Sequence, residues 1–479
     1  MTTGPRHAPR VPPAIWWISL IMALLGLLST KPFLIAFGAL LIPVFFSLLW
    51  RLGEPPVLLF AVGFQWMQVI TPVLRATLVG PDVVSRVAAP SLDRATFLGL
   101  MALLVLAVGM WLGRGRRGLS LRSRALSEGV PFSVWKLGFA WVLAHIVSGI
   151  VGWIGWRAGG LSQALAVLDM LVWVAVFLVI WSAMIDRRFL PLAVVVVVAE
   201  FLVGFMGYFS SFKNVLFVLL TVSLTVQPTA RRWLRPSTVL VFAVGFLTLA
   251  FWQSVKFDYR DFLNQGTESQ AVLVPVEDRV MFLLDRVVNL DAEALRDGFE
   301  AGVERAGYLQ YFGAVLETVP SKIEYQSGRL WGEAVRHVFT PRLFFPDKPA
   351  IDDSKRVSEF TGMRVAGAAQ GTSISLGYLA ESYIDFGPVF MYLPVFAMGL
   401  FWGWSYRTLA TTGPHRLLSL ALASSFILSG ALLFESSNMK IVGGAITGLI
   451  VSWLLLRFGS NVIWSVMSHR RYRVSRAAG

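Results

Sequence analysis

The sequence contains no cysteine, which excludes disulfide bonds, thiolate zinc sites and cysteine nucleophiles. It is also poor in charge, because charged residues make up 15% of the chain, whereas soluble proteins carry about a quarter. Hydrophobic residues make up 56% and recur in runs of about 17–25 residues, the length that a helix needs to cross a bilayer. Because these runs are solidly apolar and do not alternate with polar residues, they exclude a β-barrel.

These runs predict an all-α polytopic membrane protein with about twelve transmembrane helices. The first run, Ala14 to Leu28, lacks a small-x-small cleavage site, so we interpret it as a retained helix and not as a signal peptide. The predicted spans are 14–30, 33–50, 57–74, 95–112, 137–155, 167–185, 189–207, 213–228, 237–254, 388–406, 417–434 and 441–458.

The distribution of Lys and Arg predicts the orientation. With these spans, the connections on one side carry about three times as many basic residues as the short connections on the other, which places both termini in the cytoplasm. The predicted domains are an N-terminal bundle of about nine spans (1–254), one large, partly helical extracytoplasmic loop (255–387) and a C-terminal region of about three spans with a basic tail (388–479). The net charge of +14 therefore belongs to a cytoplasmic rim facing anionic lipid, and nucleic-acid binding is disfavoured.

The loop 255–387 is too rich in apolar residues to be disordered. Periodicity predicts an amphipathic helix over 277–306 and further helices over 308–319, Arg329 to Phe339 and 374–387. Between the last two, three prolines within nine residues predict an irregular, shaped loop.

Cations crowd the region between Glu333 and Asp385, interleaved with Phe344 and Phe345. Fixed cations beside a membrane suit a phosphate or diphosphate, and neighbouring aromatic rings suit stacking against sugars. The alternative is that each cation pairs with a carboxylate of the same loop. The cations of this region are Arg336, His337, Arg342, Lys348, Lys355, Arg356 and Arg364.

Two charged residues lie within or beside apolar runs. A lone Glu200 in a predicted span is costly and could relay protons or hold a substrate group, but a structural partnership with His145 is an equal alternative. Lys213, at the start of a span, either helps to bind phosphate or is an interfacial lysine that reaches towards the headgroups.

Two further pairs favour structural roles. Asp352 and Asp353 lack the additional spaced ligands of a metal site, so we interpret them as part of a solvated loop. Gln65 and Gln68 are expected to make interhelical hydrogen bonds. The sequence therefore predicts neither a metal site nor a cofactor.

The stretch from Pro341 to Gly387 resembles the Wzy-type repeat-unit polymerases of bacterial O-antigen and exopolysaccharide synthesis. The similar features are Pro341-Arg342, the run from Phe345 to Pro349, Gly371-Thr372-Ser373, Gly377, the run from Ala380 to Tyr383 and Phe386-Gly387, together with GYFSSFKN at 207–214. The motifs cover under a fifth of the chain, and a large extracytoplasmic loop late in a series of some dozen helices is also similar to that family.

The resemblance implies a membrane-embedded glycosyltransferase that moves a growing glycan from a polyprenyl diphosphate to the free sugar end of a newly flipped, lipid-linked repeat unit. In this interpretation Arg342 and Lys348, with Arg336, Lys213 and Arg364, stabilise the diphosphate. Glu381, Asp385 and His337 are the candidate bases, with Glu381 first. Phe344, Phe345 and Tyr383 stack against sugars.

The same resemblance implies a multi-pass protein of a bacterial plasma membrane. Its partners would be the lipid-linked oligosaccharide, the bilayer, and a chain-length regulator and a flippase of the same pathway. Two alternatives stay open from the sequence: a lipid-linked glycan ligase, which shares the chemistry and differs in acceptor, and a flippase or transporter. The absence of visible repeats argues against a transporter.

Overall fold

The computed structural model of the protein is helical: helices contain 79% of the residues that it describes, and no strand occurs among those residues. Those residues are 11–79, 89–116, 118–119, 130–158, 161–226, 236–267, 272–340, 344–345, 348, 351–367 and 373–468. The predicted all-α class is confirmed. The helices in the first half of the chain are α1 (Pro13–Gly26), α2 (Pro32–Leu49), α3 (Val57–Val79), α4 (Ala89–Arg114), α5 (Val134–Ala158), α6 (Ser162–Ile185), α7 (Leu190–Val203), α8 (Phe212–Val226) and α9 (Pro236–Asn264).

The second half begins with short helices and returns to longer apolar ones. These are α10 (Val276–Val288), α11 (Ala292–Ala306), α12 (Gln310–Thr318), α13 (Arg329–Phe339), α14 (Asp353–Thr361), α15 (Tyr378–Phe390), α16 (Tyr392–Thr411), α17 (Arg416–Gly430) and α18 (Asn438–Met467).

Among the described residues, six helices are long and apolar enough to cross a membrane, namely α2 to α6 and α18. A seventh crossing results if α15 and α16 are counted as one span, although they are bent by 116°. Each of the twelve predicted segments overlaps a helix, but α1, α7, α8 and α17 have at most 15 residues. The helices indicate a membrane protein, and the count of about twelve spans stays a prediction.

Prolines inside helices free backbone carbonyl groups, and these carbonyls bind distant parts of the chain. A proline has no N–H group, so the carbonyl four residues before it loses its partner within the helix. Pro43 leaves the carbonyl of Ala39 free to accept the hydroxyl of Ser19 from α1. Pro388 acts in the same way, because the carbonyl of Ile384 accepts the N–H of Gln326 at 2.8 Å.

Pro72 in α3 makes the third such connection. It frees the carbonyl of Gln68, which accepts the N–H of Tyr308 at 3.1 Å. This is an ordinary length for a backbone hydrogen bond. One turn earlier on the same helix, the side chain of Gln65 accepts the hydroxyl of Tyr378 at 2.7 Å and donates to the carbonyl of Ala431 at 2.7 Å. The polar segment 255–387 is therefore seated between membrane-type helices, and the predicted interhelical role of Gln65 is confirmed.

Helices α4 and α16 cross along a seam of four glycines. Each helix carries two glycines four residues apart, Gly109 and Gly113 on α4 and Gly399 and Gly403 on α16. A Cβ atom on Gly113 would lie 2.2 Å from the carbonyl oxygen of Leu400, and one on Gly403 would lie 2.1 Å from that of Met110. Such small-residue pairs let two helix backbones approach closely where lipid offers no hydrophobic drive for association.

The polar segment differs from its predicted helices in two places. The stretch predicted as one helix over 277–306 is two, α10 and α11, because Asp291 caps a new helix by accepting the N–H of Ala294 at 2.7 Å. The predicted helix over 374–387 begins at Tyr378 and breaks at Gly387, whose φ of +69° favours glycine. Helix α13 spans Arg329–Phe339, as predicted.

Candidate functional site

A cavity of about 490 Å³ lies where the polar segment meets α3 and α4. Its walls come from four places in the chain: the last turns of α3, the start of α4, the end of α11 with the start of α12, and the turn after α14. The lining residues are Thr71, Pro72, Arg75, Leu92, Val303, Glu304, Gly307, Gln310, Tyr311, Gly362, Met363, Arg364 and Val365.

Two glycines shape this cavity. Gly362 ends α14 with a left-handed φ of +70°, which turns the chain so that Met363 and Arg364 line the wall. Gly307 follows α11 at the point where the chain approaches α3, and a Cβ atom there would lie 2.8 Å from Cγ of Pro72. A side chain at this position would therefore separate the polar segment from α3 and open the cavity.

Two arginines and one carboxylate supply the charge of the cavity. Arg75 is 15% exposed, and its Nη1 lies 3.5 Å from Oε1 of Glu304, which is mostly exposed. Arg364 is exposed and has no ion-pair or hydrogen-bond partner among the residues that the structure describes. The cavity therefore has one more positive than negative side chain, which suits an anionic group.

Tyr311 and Gln310 add neutral hydrogen-bonding groups to the same wall. Burial raises the pKa of Tyr311, an effect that the nearby Arg305 partly opposes. Its hydroxyl is thus neutral at physiological pH and can donate a hydrogen bond. Where the structure describes the chain, no three His, Asp or Glu side chains are grouped so that they could hold a metal ion.

Of the predicted diphosphate ligands, Arg364 alone is placed at the cavity. Arg342 lies outside the described residues. Arg336 is exposed near the end of α13, and Lys348 donates from Nζ to the carbonyl of His337 at 2.5 Å. Lys213 is exposed in the first turn of α8. The structure therefore does not bring Arg336, Lys348 or Lys213 into the wall of the cavity.

Glu381 is the first-ranked candidate base, and it is fully buried. Its Oε2 accepts the N–H of Asn438 at 2.8 Å, and its Oε1 lies 3.4 Å from Nη1 of Arg356. Arg356 also pairs with Glu333, with 2.6 Å between Nη2 and Oε2. In this arrangement Glu381 joins α15 to α14 and α18 and does not line the cavity.

Asp385, the second candidate base, also has both oxygens engaged. They accept the N–H groups of Leu330 and Trp331 at 3.0 and 2.8 Å, which satisfies donors in the first turn of α13. The third candidate, His337, is half-buried in the last turn of the same helix. Glu381 and Asp385 are four residues apart, as predicted for one helix face, yet they bind different partners.

The predicted solvated position of Asp353 is wrong. Its side chain is 1% exposed, pairs with Nζ of Lys440 at 2.8 Å and accepts the hydroxyls of Ser375 at 2.5 Å and Ser437 at 3.0 Å. Asp352 is exposed, as predicted, and caps α14 by accepting the N–H of Lys355. The aspartate pair starts a helix, and a buried carboxylate needs such partners.

The predicted sugar-stacking residues separate into two groups. Phe344 and Phe345 are exposed, with 72% and 50% of their surface accessible. Tyr383 is fully buried, its ring packs against those of Phe312 and Tyr325, and its hydroxyl donates to the carbonyl of Val319 at 3.2 Å. Tyr383 therefore belongs to the core, and its ring has no face open to a sugar.

Glu200 has the structural partnership that the sequence left as one of two alternatives. Its Oε1 lies 2.7 Å from Nε2 of His145 and accepts the indole N–H of Trp141 at 2.6 Å. Two side chains from α5 thus satisfy one carboxylate oxygen of α7, which offsets the cost of a buried polar group among apolar helices.

The family model "Domain of unknown function (DUF8712)" matches residues 132–412, which is more than half of the chain. The chain belongs to the DUF8712 family. No curated protein and no solved structure matches it. In this DUF8712 member the matched range includes the polar segment with its contributions from α11, α12 and α14 to the cavity, whereas α3 and α4 lie before it.

Three titratable residues of the cavity were not singled out by sequence reasoning: Arg75, Glu304 and Tyr311. In the sequence Arg75 follows an apolar run, where a basic residue indicates topology, and Glu304 is one of many charges on a predicted amphipathic helix. One signal in the sequence could have found Arg75. Pro72 lies three residues before it and frees a carbonyl on that helix, which marks a place where another chain segment can dock.

Proposed function

We propose that this protein polymerises polyprenyl-diphosphate-linked oligosaccharide repeat units into O-antigen or exopolysaccharide at the outer face of a bacterial plasma membrane. The observation that supports this proposal is the cavity, in which Arg75 and Arg364 face a space of about 490 Å³ beside α3 and α4. A lipid-linked diphosphate needs cations at this kind of position, because its headgroup must be held while its tail stays in the bilayer.

The proposed reaction is a glycosyl transfer. The hydroxyl oxygen at the free sugar end of the acceptor attacks the anomeric carbon of the donor, and the bond from that carbon to the diphosphate oxygen breaks. The diphosphate leaves with the electron pair of that bond, and the two arginines stabilise its charge. The proton of the acceptor hydroxyl needs a base within hydrogen-bonding reach.

Glu304 is the carboxylate that lines the cavity, so we assign it the role of that base. Its Oε1 lies 3.5 Å from Nη1 of Arg75, a separation that leaves the carboxylate free to accept a further hydrogen bond. Glu381 and Asp385, which were expected in this role, do not line the cavity and instead bind groups of α13, α14 and α18. Phe344 and Phe345, which are exposed, remain candidates for contacts with the sugar chain.

The proposal is tested with the purified full-length protein, a lipid-linked repeat unit and analysis of product length on a gel. Arg364→Ala is the sharpest variant, because Arg364 is exposed and its loss leaves no buried group without a partner. We expect chain extension to fall about a hundredfold or more for Arg364→Ala and for Glu304→Gln. Arg296→Ala is the matched control, since Arg296 is an exposed arginine of α11 whose one ion pair with a described residue is to Glu300 of its own helix.

Normal extension by both cavity variants would overturn the assignment of the reaction to the cavity. Two other results would overturn the polymerase proposal itself. Transfer of a single glycan to an acceptor that is not a repeat unit would identify a ligase. Movement of the lipid-linked unit across vesicles without any new glycosidic bond would identify a flippase.

A further inference from the structure

Three cations that do not line the cavity meet where α9 packs against α11. Lys256 and Arg260 are four residues apart on α9 and share a helix face. Arg305 lies in the last turn of α11, which packs tightly against α9, because a Cβ atom on Gly298 would lie 2.1 Å from the carbonyl oxygen of Ala250. We call Lys256, Arg260 and Arg305 the cation cluster.

The negative charge around the cation cluster is insufficient to balance it. Arg305 makes a long ion pair with Glu435, 3.8 Å from Nη2 to Oε2, and this is the one ion pair of the cluster within the described part of the chain. Lys256 lies 3.4 Å from the amide oxygen of Gln253, and Arg260 donates to the carbonyl of Tyr208 at 3.2 Å. Two of the three positive charges therefore face neutral acceptors.

The charges also influence one another. Partial burial, together with the smaller effect of the charges of Arg260 and Arg305, lowers the pKa of Lys256 to about 8. Burial lowers the pKa of Arg260 as well, again with a contribution from Arg305. Lys256 and Arg260 are half-buried and Arg305 is exposed, and an anion of the protein's surroundings would relieve the repulsion among their three charges.

The cation cluster is bordered by exposed aromatic and aliphatic side chains. The guanidinium carbon of Arg260 lies 4.9 Å from the ring centre of Tyr208 and 5.5 Å from that of Phe209, which is 61% exposed. Nζ of Lys256 lies 4.8 Å from the ring centre of Phe257, which is 71% exposed. Cations beside exposed rings are typical of the interface between headgroups and acyl chains.

An apolar stripe continues from the cations along α9. Leu249 lies seven residues before Lys256, which is two helical turns and roughly 10 Å along the same face. Leu249 is exposed, as is Phe246 one turn earlier. A ligand with a phosphate group at the cations could therefore lay a hydrocarbon chain along Leu249 and Phe246.

We propose that Lys256, Arg260 and Arg305 bind the phosphate group of a membrane lipid, at a site separate from the cavity. The chemistry is shared by glycerophospholipids and by isoprenyl diphosphates. This inference does not rest on the proposed polymerase activity, because it needs only the charge balance and the exposed stripe of α9.

The test uses the full-length protein purified in a neutral detergent, with lipid binding measured by native mass spectrometry. The probes are phosphatidylglycerol, farnesyl diphosphate and inorganic phosphate, each added alone. We expect binding of one or both lipid probes to weaken by about tenfold for each cation removed, in Lys256→Gln, Arg260→Gln and Arg305→Gln. Arg296→Gln, which removes an exposed arginine of the same helix α11, is the control and should bind as the wild type does.

Thermal stability without added lipid separates binding from a structural role. If repulsion within the cation cluster is uncompensated, Lys256→Gln should melt at a higher temperature than the wild type, and the lipid probe should stabilise the wild type more than the variant. Equal lipid binding by the cluster variants and the control would overturn the proposal. Lower stability of Lys256→Gln would also overturn it, and equal binding of inorganic phosphate would refute the part of the proposal that requires a lipid.

Discussion

The glycine seam between α4 and α16 allows a sharp test of the packing. Gly403→Ala adds one methyl group that would lie 2.1 Å from the carbonyl oxygen of Met110 and 2.7 Å from the amide nitrogen of Arg114. Ordinary van der Waals contact begins near 3.4 Å, and both obstacles are backbone atoms that no side-chain rotation can move. The two helices must therefore separate along the whole seam.

Overpacking of this kind costs about 1–3 kcal/mol and occasionally more. The matched control is Gly63→Ala in α3, because a Cβ atom there meets nothing within 4 Å. Alanine forms helix better than glycine by about 1 kcal/mol, so Gly63→Ala should be neutral or slightly stabilising. The assay is the melting temperature of detergent-solubilised protein, read from the monodisperse fraction in size-exclusion chromatography. Equal melting temperatures for Gly403→Ala and Gly63→Ala would refute the close parallel packing of α4 and α16.

Further predictions concern single groups. Asp385→Ala should destabilise the protein by about 1–2 kcal/mol through loss of the cap on α13, with Asp385→Asn milder, as measured by thermal unfolding. Glu381→Gln should lower stability by about 3–5 kcal/mol because it breaks a buried ion pair; a fully folded variant that has lost chain extension would instead support Glu381 as the base. The folded pKa of Lys256, about 8 against an ordinary 10.5, penalises the charged amine in the folded state, so the wild type should gain stability as pH rises from 8 to 10.5, and Lys256→Gln should gain less. Because the chain has no cysteine, a single cysteine can be placed at Ser358 or within 120–129 and treated in intact cells with an impermeant thiol reagent. We expect labelling at position 358 alone, and labelling within 120–129 would contradict the predicted orientation.

Helix positions were largely predictable from the sequence because they depend on local periodicity and on breakers. The predicted helix from about Arg329 to Phe339 is confirmed, and its end follows from Thr340 and the proline after it. The division of 277–306 into two helices was not predicted, because in the sequence Asp291 cannot be distinguished from the other charged residues of a solvated helix face. The kink inside α15 lies at Gly387-Pro388, a pair of helix breakers that is visible in the sequence.

The candidate site was less predictable. Sequence reasoning selected residues that are close along the chain, from Glu333 to Asp385, and the fold sends several of them into the interior. Glu381, Asp385 and Asp353 became buried partners of backbone N–H groups and of Arg356 and Lys440. The charges of a dense run can pair with one another in the interior or can bind a ligand, and the sequence does not show which of the two they do.

The sequence by itself determined the class of protein, since only helices can satisfy backbone groups in such long apolar runs, and local breakers set where most helices end. Only the tertiary structure decided which charged side chains line the cavity and which are buried with partners. Arg75 and Glu304 are 229 positions apart, and they meet because Pro72 frees a carbonyl of α3 that Tyr308 can reach. The physical reason is that exposure and ion pairing depend on tertiary contacts. In the sequence, a carboxylate on an amphipathic helix looks the same whether it faces solvent, a cation or a cavity.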